Sequence, residues 1–401
     1  MNIDLKQIET AYQKIKPYIR KTPLIYSDYL SQKYQKEVWL KCENFQKTGS
    51  FKFRGATNFI LAHLDKAKKN GVVTASAGNH AQGVAAICQI LNIPATIIMP
   101  TPTPALKIQN TQSYGAKVEL VGAIYDEAYE HALELSKKNG LLYVPAFKSE
   151  EIMAGQGTVA LEVLEELKDF DAIVSSVGGS GLINGIGTVL KAKAPKTKVY
   201  ACGSQNAPSL YKSFHSGEIE VVPIKYTIAE GAATKKPEIE MINILRKVVD
   251  NFFSLSEVSI SNAIAVLCEK AKMVAEGAGA LPIAALTENC IPEKKIVLVI
   301  SGGNIDIATL SSVLQRGLVD QGRILRLLIK VPDRPGSLNS ITQIIAGLNA
   351  NIIQVIHQRS THRLTVGETE IQVDVETRGL EHSSEITNAL TKDGFIVKLN
   401  P

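Results

Sequence analysis

A chain of 401 residues, 45% hydrophobic and 21% charged, holds enough material for two or three folded domains and a sizeable core. Its 44 basic and 39 acidic residues leave a net charge of +5, too small and too scattered to argue for a nucleic-acid or membrane surface. Cys42, Cys88, Cys202, Cys268 and Cys290 form no C-x-x-C pair and the histidines show no H-E-x-x-H spacing, which argues against a disulfide framework and a protein metal site and fits a reducing cytoplasm.

Residues 1–10 mix charged and apolar side chains, so no signal peptide is expected. Residues 4–20 read as an amphipathic helix, with Leu5, Ile8, Ala11, Tyr12 and Ile15 at helical spacing, broken by Thr22-Pro23-Leu24. A short strand at 38–41 leads into Thr48-Gly49-Ser50-Phe51-Lys52-Phe53-Arg54-Gly55-Ala56. An alternation then sets in: strands at 71–74, 95–99, 117–121 and 141–144, and helices at 81–91, 104–114 and 124–138. It resumes with helix 158–167, strand 172–177, helix 182–193 and strand 198–203. A less regular stretch follows, then helices at 237–248, 261–275 and 280–289, strand 295–300 and helix 307–318. Such β-α-β-α order with short connections predicts parallel sheets flanked by helices, in two α/β lobes with a cleft between them. The uncharged run 172–190 is long enough to raise a membrane span, but its glycines, Gly178, Gly179, Gly181, Gly185 and Gly187, make it strand, tight loop and buried helix.

Composition shifts near Asp320-Gln321-Gly322. Beyond it, strand 325–331, a helix from Asp333-Arg334-Pro335-Gly336-Ser337 to about 348, strand 351–358, a hairpin pairing 363–365 with 368–376 around Gly367, helix 383–391 and strand 395–399 follow. The order β-α-β-β-α-β is the ferredoxin-like α+β arrangement. The expected domains are therefore 1–320, with a small lobe of about 50–150 inserted in a larger one, and 323–401.

Lys52 stands between two phenylalanines. Aromatic surroundings desolvate an amine and disfavour its charged form, and a neutral amine can attack an aldehyde; a lysine snorkelling past an apolar edge is the alternative. Three glycine-rich loops bear on that choice. Ser76-Ala77-Gly78-Asn79-His80-Ala81-Gln82-Gly83 lies between a strand and a helix, where backbone N–H groups can hold an anion or simply form a capped turn. Val177-Gly178-Gly179-Ser180-Gly181-Leu182 has the same setting and lets backbone approach a phosphate closely. It is not a dinucleotide fingerprint: the third glycine of G-x-G-x-x-G would fall on Asn184, and the next strand ends without an acidic residue. Ser301-Gly302-Gly303-Asn304 ends the last strand of the α/β part.

Together, and in this order, the four stretches resemble the fold-type II (tryptophan synthase β-like) pyridoxal-phosphate enzymes, and more narrowly the threonine dehydratases (threonine ammonia-lyases). Phe214-His215-Ser216-Gly217-Glu218 and Glu276-Gly277-Ala278-Gly279-Ala280 fit that family too. The resemblance covers residues 1 to about 320; the remainder resembles an ACT regulatory domain. It implies pyridoxal 5'-phosphate held on Lys52, with Phe51 beside the ring, Gly178, Gly179, Ser180, Gly181 and Leu182 on the phosphate, Asn79 on the phenolic oxygen and Ser301 at the ring nitrogen. Ser76, Ala77, Gly78, Asn79 and His80 would clamp the substrate carboxylate, and Lys52 would remove the Cα proton. The implied reaction turns threonine, and serine less well, into a 2-oxo acid and ammonia. The family's phosphate loop is often four consecutive glycines, the third of which is Ser180 here. No metal is implied. Glu276 is either an ion ligand or an ordinary helix-start residue. An amino-acid effector at the C-terminal domain and a homo-oligomer, dimer or tetramer, are further expectations. Serine racemase, on the same scaffold, is a rival, disfavoured by Ala77 where those relatives have a proton-carrying serine and by Gly203 and Ser209 where acidic residues would be expected. A non-catalytic amino-acid sensor is the other.

Overall fold

The computed structural model describes residues 1–359 and 365–399. The chain divides into two compact units, Met1–Ile305 and Asp306–Pro401.

The first unit carries two sheets. Its strands are β1 (Leu24–Tyr26), β2 (Glu37–Cys42), β3 (Val72–Ala75), β4 (Ala95–Met99), β5 (Lys117–Leu120), β6 (Leu142–Tyr143), β7 (Ala172–Ser176), β8 (Lys198–Ser204), β9 (Asn251–Leu255) and β10 (Lys295–Ile300). The larger sheet has the order β1-β2-β10-β7-β8-β9 and the smaller β5-β4-β3-β6. Every pairing is parallel except β1 with β2 at the edge. The small sheet lies wholly within the chain between β2 and β7. Parallel strands are covered on both faces and therefore read as continuous apolar runs; β7 is buried along its whole length and β10 everywhere but Lys295. The uncharged run at 172–190 divides into β7, a loop and the helix Gly181–Lys193. Among the described residues no helix is long and apolar enough to cross a membrane.

The structure departs from the expected elements at particular places. The helix expected at 158–167 is Glu150–Glu166, opened by the Ser149 hydroxyl accepting from the Glu151 and Ile152 N–H groups. Gly155 and Gly157, ordinary helix weakeners, are there for close approach. A Cβ at Gly155 would lie 2.7 Å from the Arg54 carbonyl oxygen, and one at Gly157 would lie 3.0 Å from that of Gly185. Three helices, Lys52–Ala62, Glu150–Glu166 and Gly181–Lys193, thus meet almost backbone to backbone. The irregular stretch contains a helix, Ser209–Ser216, and the sheet gains β9.

At this crossing four charged side chains are fully buried. The Arg54 guanidinium donates from Nε and Nη2 to the two Glu43 oxygens, each at 2.7 Å, and from Nη1 and Nη2 to the two Glu162 oxygens, each at 2.8 Å. Lys41 Nζ donates to Glu162 Oε2 at 2.6 Å and to the Thr22 carbonyl at 2.7 Å. Two cations and two carboxylates balance, which is the condition for tolerating charge in an apolar interior. Burial alone would push the Glu43 carboxyl up; Arg54, Lys41 and Thr22 overcome that and hold it below its ordinary value.

The second unit begins with the helix Ile307–Asp320, whose Asp306 carboxylate accepts from the Ala308 and Thr309 N–H groups. There follow β11 (Ile324–Pro332), the helix Ser337–Gly347, β12 (Asn351–Gln358), β13 (Glu368–Glu376), the helix Leu380–Lys392 and β14 (Ile396–Leu399). The sheet order is β12-β13-β11-β14, all antiparallel. Leu327, Ile329, Ile341, Ile345, Ile371, Val373, Ile386 and Leu390 close its core without exposure. Strand alternation is strict: β11 buries every second residue from Leu325 to Val331. The short strand expected at 363–365 falls largely outside the described residues, and β13 pairs with β12 and β11.

Candidate active site

Lys52 opens the helix Lys52–Ala62, directly after Phe51, whose N–H donates to the Ser301 carbonyl at 3.0 Å. That bond and the pairing of Ser50 with Gly302 fasten the start of the helix to the end of β10. The Lys52 side chain keeps some surface, yet its amine lies 5.3 Å from the Phe51 ring centre and donates to the Ala146 carbonyl at 3.0 Å. Burial pushes the amine down to about 8, with the Glu276 carboxyl pulling the other way. A neutral amine is thus accessible near neutral pH.

The 76–80 loop joins β3 to the helix Asn79–Leu91. Because the helix starts at Asn79, its first N–H groups lack intrahelical partners and face the loop. The Ser76 hydroxyl accepts from the Gly78 N–H at 3.2 Å and shapes the turn. The His80 ring points elsewhere. Its Nε2 lies 3.1 Å from the Val144 carbonyl, and burial, helped by Lys52, drives its pKa down to about 3, so the imidazole stays neutral. Only the backbone of His80 is free to meet a ligand here.

The 177–182 loop joins β7 to the helix Gly181–Lys193. A Cβ at Gly178 would lie 2.5 Å from the Gly231 carbonyl oxygen, and one at Gly179 would lie 2.2 Å from the Phe147 ring. Side chains are excluded there by the walls of the loop. Ser180 has φ +67, in the left-handed region, which explains why glycine is the default at that position. Its hydroxyl is buried and has no protein partner. Leu182 is buried behind it.

Ser301, 1% exposed, directly follows β10; its hydroxyl accepts from that of Ser176, at the end of neighbouring β7, at 3.0 Å. The two hydroxyls form a neutral pair at the adjoining ends of β7 and β10. Glu276 lies at the start of the helix Gly277–Thr287, and its Oε1 accepts from Asn79 Nδ2 at 2.7 Å. Burial pushes this carboxyl up to about 7, against the pull of Asn79 and of Lys107 and Lys52. Among the described residues no group of three or more His, Cys, Asp or Glu side chains is placed to hold a metal ion.

The fold thus gathers Lys52, the three loops and Ser301 at the C-terminal ends of β3, β7 and β10, where open α/β sheets bind ligands. Ala146, Phe147, Ser176, Gly231 and the side chain of Asn304 join them without having been read from the sequence. Only the small size of Gly231 and the amide of Asn304 offered a signal.

Such a site, a desolvated lysine among glycine-rich loops at strand ends, is that of a Schiff-base enzyme. The chain belongs to the pyridoxal-phosphate dependent enzyme family, whose sequence model matches residues 15–302; the ACT domain matches residues 325–394. The L-threonine ammonia-lyase of Thermotoga maritima is 43% identical over 398 residues, 99% of each chain. Among solved structures, the processed form of threonine deaminase isoform 2 from Solanum lycopersicum is 35% identical with a TM-score of 0.72, over 78% of this chain and 94% of that one. Maize serine racemase is 31% identical with a TM-score of 0.75, over 80% of this chain and all of that one.

The residues present fit the cofactor. An unpartnered buried hydroxyl at Ser180, a loop that admits no side chain at Gly178 or Gly179, and a lysine amine shifted toward neutrality are the features that a phosphate and an aldehyde need.

Proposed function

We propose that this chain deaminates L-threonine, and more weakly L-serine, by β-elimination of water, giving 2-oxobutanoate or pyruvate and ammonia. The observation that carries the proposal is the Lys52 amine, desolvated beside Phe51 and bonded only to a carbonyl, next to the loop with the unpartnered Ser180 hydroxyl. When bound, pyridoxal phosphate supplies an aldehyde carbon and a ring that withdraws electrons from the substrate Cα. Lys52 would hold that carbon, and the Lys52 amine, when free, would take the substrate Cα proton as general base. The N–H groups of the Ser180 loop and its hydroxyl would hold the phosphate. Phe51 would pack against the ring. Asn79 would donate to the phenolic oxygen, and the helix start at Ser76, Ala77, Gly78, Asn79 and His80 would hold the substrate carboxylate. The neutral Ser301–Ser176 hydroxyl pair would face the ring nitrogen without enforcing its protonation, which suits prompt loss of the β-hydroxyl. The bond from Cβ to oxygen breaks, the proton that Lys52 takes from Cα balances the one that leaves with the hydroxyl as water, and the released enamine takes up water and loses ammonia.

Ala77 separates this reading from racemisation, since a methyl group cannot return a proton to the opposite face of Cα. Serine lacks one methyl of threonine, a difference of about 1–3 kcal/mol in a pocket, so it is a poorer substrate rather than none. For the second unit we propose amino-acid binding at the turn of Asp333, Arg334, Pro335 and Gly336 before the helix Ser337–Gly347, with isoleucine or valine as regulator. A cytoplasmic dimer or tetramer completes the proposal. The test is an assay for 2-oxo acid with L-threonine and L-serine on wild type and Lys52→Ala. Loss of both the visible cofactor band and turnover in Lys52→Ala is expected; near wild-type turnover in that variant sinks the assignment.

A further inference from the structure

Two side chains beside the site, Glu276 and Asn304, have no role in the reaction as described. Glu276 does not cap its own helix. Its Oε1 instead accepts from Asn79 Nδ2 at 2.7 Å, while Asn79 Oδ1 accepts from Asn304 Nδ2 at 2.8 Å. Asn304 Nδ2 also donates to the Thr48 carbonyl at 2.7 Å. The chain from Thr48 through Asn304 and Asn79 to Glu276 therefore links the segment before Lys52, the end of β10, the 76–80 loop and the start of the helix Gly277–Thr287.

Room for the carboxyl is made by glycine. A Cβ at Gly302 would lie 2.6 Å from Glu276 Oε1, and one at Gly231 would lie 3.7 Å from it. An amide can present either its oxygen or its nitrogen to a ligand. With a donor on one side and a carboxyl on the other, the Asn79 amide is fixed in one sense. One of its two N–H bonds goes to Glu276, which leaves the second for a ligand, and Asn79 keeps part of its surface. The charged groups that Glu276 faces are Lys52, Glu230 and Lys107, the last two themselves paired at 2.7 Å.

We infer that Glu276 is a positioning residue: together with Asn304 it fixes the Asn79 amide so that a single N–H is offered to the ligand, and it supplies the negative charge that Lys52 faces. This rests on the reading that Lys52 and Asn79 hold the cofactor. A bystander carboxyl would be replaceable by any side chain that fits. A positioning carboxyl is replaceable only by one that accepts the Asn79 hydrogen bond, and its charge leaves a separate trace in the pH dependence.

The test uses the pyridoxal-phosphate-loaded full chain and the variants Glu276→Gln, Glu276→Ala, Asn304→Ala and Lys52→Ala. Glutamine can accept the same bond but carries no charge. Glu276→Gln therefore keeps the visible band of the bound cofactor, while that band titrates about one pH unit or more lower than in wild type. The divergence is confined to pH above about 7, where the wild-type carboxyl has ionised. Glu276→Ala and Asn304→Ala lower kcat about tenfold or more, with a smaller change in the KM for threonine, because the Asn79 amide is freed. Asn304→Ala leaves the titration of the band in place. If Glu276→Ala does not fold, Glu276→Gln and Asn304→Ala decide the matter alone. An unshifted titration in Glu276→Gln, or kcat within about twofold of wild type in Asn304→Ala, overturns the inference. A visible band that survives in Lys52→Ala overturns the parent reading and this one with it.

Discussion

Arg54→Leu tests the buried charge cluster two residues beyond Lys52. The substitution removes four hydrogen bonds of 2.7–2.8 Å to Glu43 and Glu162 and leaves two carboxylates beside one cation, Lys41. All of these side chains are without solvent access, so the residual charge cannot be hydrated. Breaking a buried pair in this way costs about 3–5 kcal/mol. At roughly 2–4 °C per kcal/mol for a large domain, the apparent melting temperature falls by roughly 6–20 °C. The pH dependence carries a sign. In wild type the Glu43 carboxyl is held below its ordinary value, so its contribution is present above the unfolded pKa and lost as pH falls through the folded one. Without Arg54, burial dominates and the carboxyl takes a proton more readily, so the deficit is greatest near neutral pH and shrinks toward about pH 5. Thermal denaturation followed by circular dichroism, at fixed scan rate and cofactor saturation, reads both effects. Arg54→Lys, which keeps the charge but cannot fork to two carboxylates, lies between. A melting temperature within about 2 °C of wild type at neutral pH, or a deficit that grows on acidification, would refute the reasoning.

Ala77→Ser adds a proton carrier to the loop opposite Lys52 and is expected to produce some D-serine from L-serine while elimination slows; chiral analysis of recovered serine checks it. Reconstitution of cofactor-free protein should quicken as pH rises through about 8, the value to which burial lowers the Lys52 amine; growth of the visible band after mixing, at pH 6 to 9, measures it, and a rate that declines over that range contradicts the assignment. A chain ending at Ile305 is expected to keep the band and threonine turnover and to lose any response to isoleucine or valine, seen as a shift of the saturation curve worth about 1–3 kcal/mol in the full chain.

How far the fold could be read ahead depended on whether the cause was local. Lys295–Ile300 and Asn351–Gln358 were legible to the residue, because each is a β-rich run cut off sharply at its end by a polar residue, Ser301 or Arg359. The first part of Glu150–Glu166 lay outside the helix expected at 158–167; it carries Gly155 and Gly157, ordinary helix weakeners whose reason lies in Arg54 and Gly185 of two other helices. Asn251–Leu255 was missed because Asn251 and Ser254 interrupt the apolar pattern of a sheet-edge strand. Lys52 and the loop glycines announced themselves by composition. The Glu276 to Asn79 bond did not, being made between residues 197 positions apart, and Glu276 alone reads equally well as a helix start. Nor could the Arg54 cluster be read, since charge in sequence ordinarily means surface.

The sheet order has a consequence for how the chain comes to be folded. β2 lies between β1 and β10, paired with β10 from Glu37 to Cys42. While a ribosome is still making the segments between them, Val38 and Leu40, which end fully covered, have no parallel neighbour on that side. At about 5–20 residues per second that interval lasts roughly 10–50 s. The small sheet, contiguous in sequence from β3 to β6, can form inside that interval; the larger one cannot close until β10 emerges and slots between β2 and β7. Stalled or truncated synthesis before Lys295 would therefore leave two unpaired strand edges, and chaperone capture of nascent chains is expected to end as that strand leaves the exit tunnel.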